Sequence, residues 1–443
     1  MRQVRTILLG LVTALVAAAL IAPPGAVAGS KPKEQPKTGF EQREGADWTT
    51  HEEELEFLAQ VDARSRRVKI ETIGKTHEKR PLHLVKLGHP APVKASKAKK
   101  RNTVLFVCSQ HGNEPAGRET CLKMLRDLAF TNKKPLVDQL RSTTILFVPS
   151  ANPDGRAANT RGNAKGVDIN RDHLNLETPE ARAMAKVVKR WKPDVSLDLH
   201  EYGPSLPLLY DDEVLYLWPR NLNVDSQVHG LAKTLGEEYI HKDVEGAGYS
   251  ADAYGMYAVA DQDIHQSAGD GDEGIMRNAM GLRHSLGILV ESAVTADPRN
   301  GPGEVVDEAA LNLRRVDSQM VVAHSVLRFM QEQGNLARVA TSGAPKRKML
   351  EGSRRNAPVY FGGADNQEPS EEQIVDPPPC GYELNMSDFN KMRGVFNLHG
   401  ISSRKKGAAI RVPMGQPAEP VIPLLLDARG TRHSVEGKPL DKC

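Results

Sequence analysis

The chain has 443 residues, with 59 Lys plus Arg against 56 Asp plus Glu, 39% hydrophobic and 26% charged residues. A formal charge of +3 excludes a polybasic nucleic-acid binder, an acidic tail protein and a disordered solvating chain, and 5% aromatics leave little for base stacking. Four cysteines exclude a disulfide scaffold, so ordinary apolar burial must build the two or three globular units this length suggests.

Arg2 and Arg5 precede an apolar run from Ile7 to Ile21, then Pro23, Pro24 and the small triplet Ala26-Val27-Ala28. A charged start, an apolar run of secretory length and an A-x-A site predict a signal peptide over 1–28. An uncleaved anchor is the alternative, but the run is short of the ~20 residues a spanning helix needs. The expected product is secreted, extracellular or periplasmic, with no membrane association after cleavage and a mature charge of +1, because Arg2 and Arg5 leave and no acid does.

Residues 29–45 are polar and Lys/Pro-rich and read as a linker. Thr50 then precedes HEEELEFLAQVDARS, where acids crowd the first turn and Leu55, Leu58 and Val61 keep helical spacing. VKIETIG (68–74) and PLHLVKLG (81–88) read as a strand pair, and the basic run at 94–101 as a solvated loop or, alternatively, a polyanion contact. TVLFVC (103–108) is a continuous apolar run, as a buried strand should be, TTILFVPS (143–150) repeats that signature, and DVSLDLH (194–200) and GILVES (287–292) read as further strands. Helices are expected over 114–128, from Pro179 to Trp191 with Thr178 as cap, over 231–239 and over 307–329. Strands alternating with helices predict an α/β fold, a mixed, largely parallel central sheet flanked by helices. Such sheets place ligands at the carboxyl ends of their strands.

The expected catalytic domain spans 46–336, and 337–443 reads as a small C-terminal module. KRK (346–348), SRR (353–355) and DPPP (376–379) read as a breaker-rich connection, 387–400 as a helix, and AAIRVP and PVIPLLLDA as strands. Cys380 and Cys443 could staple this module, whereas Cys108 and Cys121 are either bridged or two buried thiols.

The chemistry concentrates at strand ends. SQHGNE follows TVLFVC and places His111 and Glu114 at H-x-x-E spacing, a weak signal alone. His200 ends DVSLDLH on another strand, and two imidazoles plus a carboxylate suit an open catalytic Zn²⁺ site. Between these lie N-P-D-G at 152–155 and T-R-G-N-x-x-G-V-D-I-N-R at 160–171, and I-L-V-E-S follows at 288–292. In this order the motifs resemble the zinc carboxypeptidase family of M14-type metallopeptidases, over roughly 65–335.

That resemblance implies a secreted metallocarboxypeptidase with one zinc ion, held by His111, Glu114 and His200. It also implies Asp168 orienting a ligand histidine, Glu291 as general base, Arg161 polarising the scissile carbonyl, and Asn170 with Arg171 gripping a terminal carboxylate. The expected partner is a peptide or muropeptide substrate, with no nucleic acid. The family's mobile tyrosine has no counterpart in 266–286. Tyr249, Tyr254 and Tyr257 lie further upstream, and Arg277 and Asn278 are expected to offer substrate contacts instead. Two rivals stand beside this reading. One is an amidohydrolase of the same fold acting on γ-D-glutamyl or N-acyl amino acid bonds; the other is a non-catalytic surface-binding relative.

Overall fold

A computed structural model describes residues 35–203, 212–254, 271–295 and 307–442. The expected signal peptide, Tyr257, Asp270 and Cys443 lie outside the described residues. Eight strands make the central sheet: β1 (Val68–Lys75), β2 (Pro81–Leu87), β3 (Asn102–Cys108), β4 (Thr143–Val148), β5 (Val195–Tyr202), β6 (Val214–Leu217), β7 (Ala251–Ala253) and β8 (Leu286–Ala293). Their order is β1-β2-β4-β3-β5-β8-β6-β7. The centre β4-β3-β5-β8 is parallel, β6 pairs parallel with β7, and β1/β2, β2/β4 and β6/β8 are antiparallel. The sheet is therefore mixed and largely parallel, as expected. Its central strands are buried at nearly every position because both faces are covered.

The helices form where capping and periodicity coincide. Thr50 caps His51–Arg64 in a capping box with Glu53, and Thr178 caps Pro179–Trp191 with Pro at the first position. The helices Ala116–Phe130 and Glu308–Glu332 pack on each other and reach β5 and β8 respectively. The helix Pro179–Trp191 lies on β1.

Two expected boundaries shift. Residues 36–45 are docked rather than a free tether: Thr38 closes a capping box with Glu41, and Phe40 is fully buried, stacked on Trp48 and packed with Ala116 and Val316. One buried aromatic ring outweighs the polar composition around it. The boundary expected at 336/337 falls inside a helix, Gly334–Arg354, which buries Ala337, Ala340, Thr341 and Ala344. The charges of KRK and SRR mimic a linker, yet Lys348 is buried in the same stripe, paired with Glu351 and Glu419, and Arg347 pairs with Asp225.

Beyond it, Gly381–Leu384, Arg404–Lys406, Ala409–Pro413 and Lys438–Leu440 build a four-stranded antiparallel sheet beside the helix Met386–His399. PVIPLLLDA is a buried helical turn and not a strand, because Pro420 and Pro423 cannot donate to a ladder. Residues Pro36–Cys443 cluster as one compact unit.

Candidate metal centre and active site

Three neighbouring parallel strands end at one place. After β3 the chain turns through His111 and Glu114 into the helix Ala116–Phe130, with a Cys108–Cys121 disulfide joining strand end to helix. The N-P-D-G segment braces this turn. Asn152 Oδ1 accepts from Gly155 N–H at 2.9 Å, and its amide donates to the carbonyls of Gln110 and Arg161 at 3.1 and 3.3 Å. The fit requires a glycine at 112, where any Cβ would collide with the main chain of Gly155 and Arg156.

His111 Nδ1 lies 2.7 Å from Glu114 Oε1, and His200 Nδ1 lies 2.8 Å from Glu114 Oε2 and 3.0 Å from His111 Nδ1. Ligand atoms of these residues all fall within 4.8 Å of one another, and all three residues are buried. The opposite ring nitrogens are committed to carboxylates: His111 Nε2 to Asp168 Oδ1 at 3.0 Å and His200 Nε2 to Asp198 Oδ2 at 2.9 Å. With Nε2 donating on each ring, both Nδ1 lone pairs and both Glu114 oxygens face one point. A metal cation would reconcile lone pairs this close, and a two-histidine, one-carboxylate set suits zinc. Burial raises the Glu114 carboxyl, but the His200 and His111 imidazoles outweigh it and hold the carboxyl down to about 2. Asp168 stays well below the usual carboxylate range because His111 and Arg161 outweigh its burial.

Glu291 on β8 is the register partner of His200 on β5, so both side chains project from the same side of the sheet. Its Oε2 is buried without a hydrogen-bond partner. Burial, helped by the Glu114 charge and opposed by His200, His111 and Arg161, pushes its carboxyl up to about 7. Arg161 reaches the same cluster from the loop before Asp168. Its Nη1 is 3.4 Å from Glu114 Oε1, its Nε and Nη2 are 3.1 and 3.0 Å from Asp168 Oδ2, and half its side chain remains exposed.

Asn170 and Arg171 differ from each other. Arg171 is 40% exposed, whereas Asn170 is buried with its amide occupied inside the protein. Asn170 Nδ2 lies 3.0 Å from His200 Nε2 and 3.4 Å from Asp198 Oδ2, and its Oδ1 accepts from Met276 N–H at 2.8 Å. That last bond satisfies a donor at the start of the helix Met276–Leu282.

Arg277 and Asn278 do not offer the expected contacts. Both are buried, Arg277 Nε donating to Trp218 O and Asn278 bridging Arg220 N–H and Asp272 O, because their helix packs against β8. Tyr249 is covered by the Arg314 guanidinium, 4.5 Å from its ring centre.

Sequence reasoning missed several supporting residues. Asp198 sits two positions before His200, hence on the same strand face, and that spacing was the available signal. Gln110 donates to Asp198 Oδ2 at 2.7 Å and accepts from His173 Nε2 at 2.7 Å. Glu201 accepts from Ala116 N–H at 2.9 Å and from Arg315 at 2.6 Å, fixing the start of the helix that follows Glu114. From beyond the expected boundary, Arg432 pairs with Asp272 at 2.6 Å and donates to Arg171 O at 3.0 Å. Nothing in the sequence links these distant positions.

The family pattern described as zinc carboxypeptidase matches residues 54–273. The chain belongs to the zinc carboxypeptidase family. The match takes in His111, Glu114, Asp168 and His200 and stops short of Glu291. Among relatives, carboxypeptidase 2 of Trichophyton tonsurans is 34% identical over 190 residues, 41% of this chain and 35% of that protein. Carboxypeptidase E of Caenorhabditis elegans is 31% identical over 164 residues, 32% of this chain and 33% of that protein. The chain thus spans about a third of the length of these relatives. A solved metallo-carboxypeptidase from Pseudomonas aeruginosa is similar at 18% identity and TM-score 0.47, covering 64% of this chain and 69% of that one. One from Burkholderia cenocepacia is similar at 20% and 0.46, covering 62% and 69%.

Proposed function

We propose that the protein is a secreted zinc-dependent carboxypeptidase that hydrolyses the C-terminal peptide bond of peptides. The observation that carries this reading is the convergence of His111, Glu114 and His200 with the unpartnered Glu291 oxygen directly across the sheet from His200. One zinc ion held by His111, Glu114 and His200 would supply Lewis acidity toward the scissile carbonyl and the attacking water.

Glu291 then takes the proton from that water and returns it to the leaving amine. A carboxyl near neutrality suits both directions of transfer. Arg161, fixed by Asp168 and half exposed, faces the oxyanion as it develops. Arg171 grips the free carboxylate with its planar fork, and Asn170 joins it by turning its amide from His200 and Asp198. Export is supported by the N-terminal pattern and by the Cys108–Cys121 bridge, and among the described residues no helix is long and apolar enough to cross a membrane. In the domain reading, 46–336 carries the catalysis and 337–443 braces it.

A panel of free, C-terminally amidated and muropeptide substrates, assayed with and without a chelator, tests the proposal. Release of single C-terminal residues that stops on amidation or chelation is expected. Cleavage indifferent to amidation would remove the exopeptidase reading. Glu291→Gln should lower turnover by at least about 10³-fold while zinc content is unchanged.

A further inference from the structure

At the opposite ends of the same strands lies a second feature that the peptidase reading does not use. A cavity of about 540 Å³ opens where β3, β5 and β8 begin, bounded by the helix Gly334–Arg354 and the segments around His399 and Pro417. Its volume is that of a small-molecule site. The length of β5 separates it from His200, about 20 Å along the strand.

The lining divides into two chemistries. Val188, Leu282, Leu398, Ala418 and Val421 supply apolar wall. Lys99, Arg101, Lys192, Arg283 and Arg338 also line it, and none of them is ion-paired among the described residues. The lining carboxylate, Asp194, is held by one hydrogen bond to each oxygen: Thr341 Oγ1 donates to Oδ1 at 2.6 Å and Thr103 N–H to Oδ2 at 2.8 Å.

Polar atoms are also left over. Arg283 Nη2 donates to the carbonyls of Ala185 and Leu398 at 3.2 and 3.1 Å, but its Nη1 is buried with no partner, as is Arg101 Nε. His284 Nε2 donates to Pro417 O and His399 Nε2 to Leu174 O, which leaves both Nδ1 lone pairs buried and unmatched. Burial lowers the Arg283 guanidinium to about 10, the cost of a charge with no counter-ion. Unpaired cations set around one apolar-walled cavity mark a site shaped for a ligand of matching chemistry.

We propose that this cavity binds a small organic anion with an apolar body, its head taken by Arg283 and the lysine–arginine rim and its tail by the Val188–Leu282–Val421 wall. A phosphate monoester suits it, because its oxygens accept from the guanidinium and ammonium groups of the lining while its alkyl body meets the apolar wall.

Titration calorimetry on the zinc-loaded full chain with hexyl phosphate, 1-hexanol and inorganic phosphate tests this. Hexyl phosphate should bind one-to-one, at least tenfold more tightly than either control. Equal binding of 1-hexanol would overturn the anion assignment, and equal binding of inorganic phosphate the apolar one. The double variant Lys192→Glu/Arg338→Glu should weaken hexyl phosphate at least tenfold while the unfolding midpoint and peptide hydrolysis stay as in the parent. Undiminished binding in that folded variant would place the ligand elsewhere and refute the site.

Discussion

Asp198 offers the sharpest test of how the metal centre is held. Its Oδ2 accepts from His200 Nε2 at 2.9 Å and from Gln110 Nε2 at 2.7 Å, and its Oδ1 is buried without a partner. In Asp198→Asn the amide oxygen can keep the accepting position while the NH₂ takes the unpartnered one. The charge behind His200 is lost, and the NH₂ is buried without an acceptor. The expected cost is about tenfold in zinc affinity, or ~1.4 kcal/mol, and about 1–3 kcal/mol in unfolding free energy. Asp198→Ala removes the acceptor as well and leaves the buried donors of His200 and Gln110 unmatched. At about 1–3 kcal/mol for each orphaned donor, this variant should lose roughly 2–6 kcal/mol of stability and about 100-fold in zinc affinity. Competition with a chromophoric chelator reads the affinity, and urea unfolding of the apo and zinc-loaded forms reads the stability. If Asp198→Asn holds zinc as tightly as the parent, or if alanine is no worse than asparagine, then Asp198 does not orient His200.

Other outcomes follow from groups away from the metal. Glu54 is buried 3.7 Å from Arg118, yet burial outweighs that pairing and raises its carboxyl to about 7. A folded value above the usual 4.5 gives a contribution that is full below pH 4.5 and lost as pH rises through 7, capped at about 3 kcal/mol. The unfolding free energy of Glu54→Gln, measured against the parent, should therefore improve between pH 5 and 8.5; a constant difference would contradict this. Replacing Cys108 and Cys121 by alanine opens a bridge of sequence separation 13 and should cost about 3 kcal/mol, read by denaturant midpoint. Gly112→Ala should abolish zinc binding by forcing the His111 turn off the Gly155 main chain, while a metal-binding Gly112→Ala would show that the turn is slack.

The metal cluster was legible because its members sit in short motifs directly after apolar strands, where chain direction alone brings them together. Asp168 and Arg161 were legible through the same local pattern. Asp198, Gln110 and Glu201 were harder: each looks like an ordinary strand or turn polar residue until the strand ends are superposed. The central strands were found because both faces are buried, whereas β6 and β7 were missed because they are only four and three residues long. The helix Gly334–Arg354 was hidden by charge, since its buried stripe is made of alanines, glycines, a threonine and the ion-paired Lys348, with little hydrophobic signal. Phe40 failed in the opposite sense, a single ring overruled by its neighbours' composition. Asn170 shows that a motif can locate a residue without telling which way its amide is spent.

The helix across 336/337 also decides where this protein can be cut. A fragment ending at 336 would keep every zinc-facing residue but stop within the first turn of that helix. It would take Thr341 from Asp194, withdraw Arg432 from Asp272 and the Arg171 carbonyl, and uncover the Leu174 carbonyl now met by His399. For grafting, display or directed evolution, the portable unit therefore runs through the final strand at Leu440, and the last hundred residues belong to the working part rather than to its packaging.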